Sequence, residues 1–544
     1  MGTSKNNLAG FGLVLLVVAP LLVLGSCSAP QQKEQTAQTG NPVALDTFST
    51  HPTGSQTRPN VVLLFADDLG YGDLSSFGHP NINTPHLDDL AAGGQRWTDF
   101  YVAAPVCSPS RGALLTGRLP NRTGLYGQRL AVLFPEDSRG MPDAELTLAE
   151  ALRDTGYATA IMGKWHLGSE AAVYPTRHGF DYWYGLPYSN DMDWVGSFTF
   201  KERLAAVIGG AGLTPAQQAE SDGRVAKYAD PKIDYWNVPL IRSERQIDAA
   251  GVAQYSDEIV ERPAQQPTLT QRYTDEALSF IDRNRDKPFF VYLPYTMPHT
   301  PLFASTHYQG KSLGGDYGDV IEEIDGSVGQ LVSGLKARGL ADNTLVIFSS
   351  DNGPWLIMLQ NGGSAGPLKM GKGTTFEGGV RVPTIFSWPG TIAPEIVHDI
   401  GSALDLMPTI LQAAGAVSPK DPTHGIQMDG VDLLPRLLGK GAKTPARQSM
   451  PYYRAGELRA WRQGPWKLHL IVEGAYGVGP EKEQLATPQL FHLGRDPGER
   501  FDVASQHPEV VADIEAAISR HKEQLISQPP LFDARLADHL PTRK

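Results

Sequence analysis

Cys107, in Cys107-Ser-Pro-Ser-Arg111-Gly-Ala-Leu-Leu-Thr116-Gly117-Arg118, is one of two cysteines in 544 residues, and the other, Cys27, ends an apolar N-terminal run. A lone thiol in the body of an exported chain has no partner for an internal disulfide, which leaves a buried filler, a free nucleophile or a modified residue. Asp67-Asp68 and Asp351-Asn352 each follow an apolar run and together offer three carboxylates and an amide oxygen. That all-oxygen set suits Ca²⁺ or Mg²⁺ rather than zinc, although paired acids at a strand end also serve as turn formers. Lys164 and His166, in Gly163-Lys-Trp-His-Leu-Gly168, join a charge to a proton-transfer group, as an anionic substrate requires. His299, in Met-Pro-His299-Thr-Pro301, is expected to be a second proton-transfer group on a stiff, extended loop. Lys372 sits in the glycine-rich run Gly366 to Gly379, where a lysine can approach an anion closely. The run is not a P-loop, because Gly373 stands where Ser or Thr is needed and no strand leads directly into it.

These residues need elements that bring them to one place. Residues 60–66 read as a strand buried on both faces of a parallel sheet, which puts Asp67-Asp68 at the carboxyl end, where open α/β sheets bind ligands. Thr84-Pro85 starts a helix to about 92, and a second short strand is expected near 97–102. Helix-favouring residues 113–116 place Cys107 at or near a helix N-terminus, where N–H groups favour an oxyanion, with Arg111 one turn on along the same face. A helix over 146–155 and a strand over 157–162 deliver Lys164 and His166 to the same sheet edge; a locally extended run puts both on one side and Trp165 on the other. The pattern continues with helix 269–284, strand 288–294, helix 319–339, strand 343–350, strand 383–388 and helix 403–414. From 179 to about 267 it is irregular, and this stretch is expected to form loops over the site that carry substrate specificity. Beyond about 425, short antiparallel strands within 458–470 and at 489–493, a turn at Asp496-Pro-Gly-Glu499 and a helix over 508–524 describe a smaller α+β domain. The expected domains are therefore 59–424 and 425–544.

Lys plus Arg number 47 against 59 Asp plus Glu, a net charge of −12, which argues against nucleic-acid binding and requires the positive charge for an anion to be local. Lys5 and the uncharged run 8–25 read as an export signal, and Leu24-Gly25-Ser26-Cys27 as a bacterial lipobox with Cys27 lipidated. An uncleaved transmembrane anchor is the alternative. The Gln/Thr/Ser/Gly/Pro-rich residues 28–58 then form a flexible tether to the membrane, on the periplasmic or cell-surface side.

Cys-x-Pro-x-Arg followed by Thr-Gly-Arg resembles the signature of the type I, formylglycine-dependent sulfatases, and the likeness extends from about 59 to the last helix, weakest over 192–267. The resemblance implies an α/β fold, with an alkaline phosphatase-like large domain around a mixed, mostly parallel sheet and a smaller C-terminal α+β domain with an antiparallel sheet. It implies that Cys107 is oxidised to an aldehyde. In hydrated form one hydroxyl attacks the sulfur of a sulfate ester, and deprotonating the other expels sulfate and restores the aldehyde. It further implies calcium, with Mg²⁺ second, on Asp67, Asp68, Asp351, Asn352 and an oxygen of modified Cys107. By the same likeness Arg111 stabilises formylglycine and Lys164, Lys372 and Ser189 bind sulfate. Lys372 also lies close to the leaving group, His166 assists loss of sulfate, and His299 binds and protonates the leaving oxygen. The implied partners are a maturation enzyme and a sulfated small-molecule or glycan substrate. The alternatives are a phosphonate or phosphate ester hydrolase of the same superfamily and a non-catalytic lipoprotein that binds sulfated glycans; a degraded motif would mark the latter, and none is degraded.

Overall fold

A computed structural model describes residues 58–196, 202, 212–416, 426–440 and 445–537. Cys27, the export signal and the tether lie outside the described residues, apart from residue 58. In the first half of the chain the strands are β1 (Asn60–Ala66), β2 (Gln95–Trp97), β3 (Phe100–Tyr101), β4 (Ala158–Met162), β5 (Tyr182–Gly185), β6 (Leu240–Ile247) and β7 (Ala253–Glu261). Those in the second half are β8 (Phe289–Pro294), β9 (Thr344–Ser350), β10 (Thr384–Ser387), β11 (Glu395–Val397), β12 (Gly401–Ser402), β13 (Ser449–Arg454), β14 (Glu457–Gln463), β15 (Trp466–Val472) and β16 (Glu483–His492).

Ten of them form one sheet in the order β11-β2-β10-β9-β1-β8-β4-β5-β6-β7. The central strands β9, β1, β8, β4 and β5 are parallel, so their carboxyl ends share one edge. Side chains of β1 alternate between faces. Val61, Leu63 and Phe65 enter a core with the helices Cys107–Thr116, Leu148–Arg153 and Leu406–Ala413. Val62, Leu64 and Ala66 enter a second core under the helices Pro85–Ala92, Leu269–Asn284 and Gly315–Ala337. Each buried Leu, Val or Phe contributes about 1.5–3 kcal/mol, and burial on both faces explains the unbroken apolar runs of the central strands.

Three local expectations change. The strand expected near 97–102 is two, β2 in the main sheet and β3 paired with β12, separated by Thr98-Asp99. The stretch 179–267 is not mainly loop: it contains β5, the antiparallel ribbon β6–β7 and the helix Pro215–Ala229. β7 is almost wholly exposed, so its sequence has no buried face to show. The helix expected over 319–339 begins a turn earlier, at Gly315. β13 carries Pro451, which as a non-donor reads against a strand, yet β13 pairs only with β14 and is an edge, where proline is tolerated.

β13-β14-β15-β16 form an antiparallel sheet beside the helix Pro508–Gln524. Its apolar residues Tyr452, Leu458, Ala460, Leu468 and Leu490 belong to the same cluster as Val61 and Leu63 of β1. The C-terminal sheet is therefore packed into the first core, and one of its turns reaches the site.

Candidate active site

β1 and β9 are neighbours in register, with Ala66 opposite Ser350, so the residues that follow each strand must meet. Asp68 turns back with φ 65, and its N–H donates to Asp351 Oδ1 at 3.1 Å. Asn352 Nδ2 donates to Asp68 Oδ1 at 2.7 Å and to Gly353 O at 2.9 Å. Its Oδ1 is buried without a hydrogen-bond partner. Candidate ligand atoms of Asp67, Asp68, Cys107 and Asp351 all lie within 4.8 Å of one another.

Cys107 is the first residue of its helix, after Val106 in extended conformation, so the thiol stands at the open N–H end. Its Sγ donates to Asp67 Oδ1 at 3.6 Å and approaches Asp68 Oδ1 at 4.0 Å. Burial pushes the thiol far above its ordinary range, against the pull of Lys164 and Lys372. One turn on, Arg111 is fully buried; it reaches Asp351 Oδ2 twice and donates to Lys164 O at 3.0 Å.

β4 and β8 bring the other polar groups. Gly163 has φ 131 and sits so close to β8 that a Cβ would lie 1.9 Å from Pro294 O, so only glycine lets the chain pass. Lys164 Nζ then donates to Asp67 Oδ2 at 2.6 Å. The run is not regularly extended, because His166 has φ 58. The two side chains still converge: His166 is held well below its ordinary pKa by burial and by Lys164 and Arg111. His166 Nε2 lies 3.0 Å from Leu133 O. A carbonyl only accepts, so Nε2 carries the proton and the unpartnered Nδ1 offers a lone pair.

The His299 loop is bent rather than extended, a turn in which both the Met297–Pro298 and Thr300–Pro301 peptides are cis. His299 Nδ1 is 2.7 Å from Thr300 O, by the same argument a donor, and Nε2 faces Asp68 Oδ2 at 3.7 Å. Lys372 Nζ donates to Asp68 Oδ2 at 2.7 Å; burial works to lower its pKa, but Asp68 together with the other acidic groups around it raises it. Ser189 Oγ is buried without a partner, and the adjacent Asn190 donates to Pro301 O at 2.9 Å, which ties it to the His299 loop. Three carboxylates, Asp67, Asp68 and Asp351, are thus matched by three cations, Arg111, Lys164 and Lys372.

Sequence reasoning missed the support of the Lys372 loop. Lys467 of β15 lies 2.9 Å from Glu377 and 3.0 Å from Glu499, His469 Nε2 lies 2.6 Å from Glu499, and Glu377 N donates to Glu499 Oε2 at 2.7 Å. Nothing in the one-dimensional spacing links residues so far apart. Trp355 and Tyr476, at the mouth of the site, were also missed; for Trp355 the signal was its place directly after Asp351-Asn352-Gly-Pro.

A mixed α/β sheet whose carboxyl edge gathers a buried thiol, three carboxylates and three paired cations describes a site for an anionic substrate. The family model described as Sulfatase matches residues 59–416, and that described as C-terminal region of aryl-sulfatase matches 445–541. Arylsulfatase A of Bos taurus is 40% identical over 497 residues, 88% of this chain and 89% of that protein. N-acetylgalactosamine-6-sulfatase of Mus musculus is 37% identical over 537 residues, 93% of each. Among solved structures, a sulfatase from Pseudoalteromonas sp. superposes with a TM-score of 0.71 at 28% identity, covering 87% of this chain and 92% of that one. The chain belongs to the sulfatase family and has its alkaline phosphatase-like fold. It is a sulfatase, an enzyme that hydrolyses sulfate esters. Among the described residues no helix is long and apolar enough to cross a membrane.

Proposed function

We propose that the chain cleaves an aryl or carbohydrate sulfate monoester with an oxygen nucleophile made by oxidising Cys107 to formylglycine. A divalent cation, Ca²⁺ in preference to Mg²⁺, is held by Asp67, Asp68, Asp351, Asn352 and an oxygen of the modified residue. The observation that supports this best is the convergence of the Asp67, Asp68, Cys107 and Asp351 ligand atoms within 4.8 Å. A hard cation fits that set, because Asn352 Oδ1 is buried with no donor to satisfy it. Bound there, the cation supplies charge compensation and polarises sulfate oxygens. Formylglycine supplies a hydroxyl nucleophile and a second hydroxyl whose deprotonation lets the aldehyde re-form. Without a bound cation, burial raises the pKa of the unmodified thiol, which disfavours the reactive thiolate.

The chain's own residues divide the remaining work. Arg111, anchored on Asp351, orients the residue one turn before it. Lys164 and Lys372 hold sulfate oxygens, and Ser189 Oγ donates to another. His299, protonated on Nε2, gives its proton to the leaving oxygen, with Lys372 beside it. His166 Nδ1, a lone pair in a neutral ring, takes up a proton as sulfate departs. Near-complete burial of Lys164 and His166 keeps bulk water away and strengthens each of these contacts.

The names of the relatives, an arylsulfatase and an N-acetylgalactosamine-6-sulfatase, support sulfated glycans or small molecules as substrates. Export, lipidation of Cys27 on a 28–58 tether, maturation by a formylglycine-generating enzyme, and division into domains 59–424 and 425–544 belong to the same proposal. The test is the mass of the tryptic peptide 97–111 from a maturation-competent host, with rates on paired aryl sulfate and aryl phosphate esters. The expected result is the aldehyde mass and faster release of sulfate. An intact thiol in an active chain would remove the nucleophile proposed here, and faster phosphate release would reassign the ester.

A further inference from the structure

Two aromatic side chains from distant segments stand beside the leaving-group side of the site. Trp355 is half-buried, its ring centroid 5.3 Å from that of His299 and 4.7 Å from Lys372 Nζ. Tyr476 meets Trp355 at 5.6 Å between centroids, with the rings at 60°. It comes from the turn between β15 and β16, closed by the reciprocal hydrogen bonds of Ala475 and Val478 at 2.9 and 3.0 Å.

The backbone at this turn is unusual for an aromatic residue. Tyr476 has φ 54 and Gly477 φ 79, the pair of left-handed residues that a tight hairpin needs and that Asn and Gly normally supply. Such strain persists only where surroundings over-determine it, and it concentrates at functional sites. Here the tip is wedged against the Lys372 loop: a Cβ on Gly373 would lie 2.8 Å from Ala475 Cβ and 3.0 Å from Tyr476 Cε2. Tyr476 as a whole residue nevertheless stays 42% exposed, so it is not part of the core.

We propose that Trp355 and Tyr476 form an aromatic wall that receives the ring of the released alcohol, so that the substrate is a sulfate ester whose leaving group carries a ring with an apolar face, an aryl plane or the C–H face of a pyranose. The inference rests on the assignment of His299 and Lys372 to the leaving oxygen. A proton donor and a cation must come within about 3 Å of that oxygen to act on it. The carbon skeleton attached to it then lies against Trp355, which touches both. A flat apolar ring face gains dispersion and burial against an indole, whereas a short alkyl chain covers little of it. Specificity for the alcohol therefore resides in the β9 loop and the β15–β16 turn.

Binding is measured first on the full-length Cys107→Ala chain, which has no nucleophile at that position and so reads the wall without turnover, using 4-nitrophenyl sulfate, a monosaccharide 6-O-sulfate and 2,2,2-trifluoroethyl sulfate. Trp355→Ala and Tyr476→Asn, the latter chosen because asparagine tolerates a positive φ, are expected to weaken the ring esters by about tenfold or more relative to the alkyl ester. Tyr476→Phe should keep the preference. Whichever ring ester loses more identifies the ring as aryl or pyranose. In the unsubstituted enzyme the same ratio should fall in kcat/KM. An equal loss on ring and alkyl esters, or no loss, would overturn the wall. A chain that binds ring esters through these residues but releases no sulfate would instead overturn the reaction assigned above.

Discussion

Arg111 grips Asp351 with two of its nitrogens, Nε at 2.9 Å and Nη2 at 2.7 Å from the same Oδ2, with side-chain exposures of 1% and 0%. The pair joins the Cys107 helix, one turn in, to the end of β9, so the thiol is tied to the Asp67, Asp68 and Asp351 carboxylates by protein groups alone. Replacing Arg111 with methionine leaves Asp351 beside Asp67 with one counter-charge fewer. The expected loss is about 3–5 kcal/mol of unfolding free energy, read from denaturant titrations of the metal-free chain. Arg111→Lys should recover only part of it, because lysine keeps the charge but not the fork. A loss below about 1 kcal/mol would show that the tie does not bear on stability.

Removal of divalent cations is expected to abolish sulfate release and lower the thermal midpoint, and added Ca²⁺ to restore both better than Mg²⁺. Binding at a hundred times Kd stabilises by about 2.7 kcal/mol, a shift that calorimetry resolves easily. Full activity of a chelated chain shown free of metal would count against the pocket.

Lys164 and His299 should separate stability from turnover. Lys164 is wholly buried on Asp67, so Lys164→Met costs both rate and about 3–5 kcal/mol of stability. His299→Asn should lower kcat by about 10²–10⁴ with little change in thermal midpoint. Its loss should shrink on 4-nitrophenyl sulfate, whose leaving oxygen needs no proton, compared with an alkyl or sugar ester. An unchanged rate on all of them would exclude His299 as the acid.

The buried Lys467 network predicts acid sensitivity. Burial works to raise the pKa of Glu499, but Lys467 and His469 hold it at about 2, below its ordinary 4.5. A carboxylate with a depressed folded pKa stabilises the fold fully above the unfolded value and loses that contribution as pH falls towards about 2. Unfolding free energy should therefore drop across that window in the native chain. Lys467→Met, which leaves Glu377 and Glu499 as buried like charges, should be destabilised at neutral pH and show a shallower fall on acidification. A slope identical to that of the native chain would refute the coupling.

Much of this was legible in one dimension, for identifiable reasons. Central strands buried on both faces must be continuous apolar runs, and Asp67 and Asp351 could be placed because ligands gather at the ends of such strands. The ribbon β6–β7 has no such run, because β6 is buried only over its first half and β7 is almost wholly exposed, and its sequence therefore reads as loop. The geometry around His166 and His299 also differs from the extended runs expected, with φ 58 at His166 and a turn at His299.

By itself the sequence determined which residue types could gather here, a lone cysteine, carboxylates, lysines and histidines, because each stands in a short, recognisable motif. Only the tertiary structure decided which charges pair, which atoms of His166 and Asn352 remain free, how the C-terminal sheet braces the Lys372 loop, and that Trp355 and Tyr476 share one face of the mouth. Those outcomes depend on distances between residues far apart in the chain, such as the 5.6 Å between the rings of Trp355 and Tyr476, and spacing along a sequence does not encode such distances.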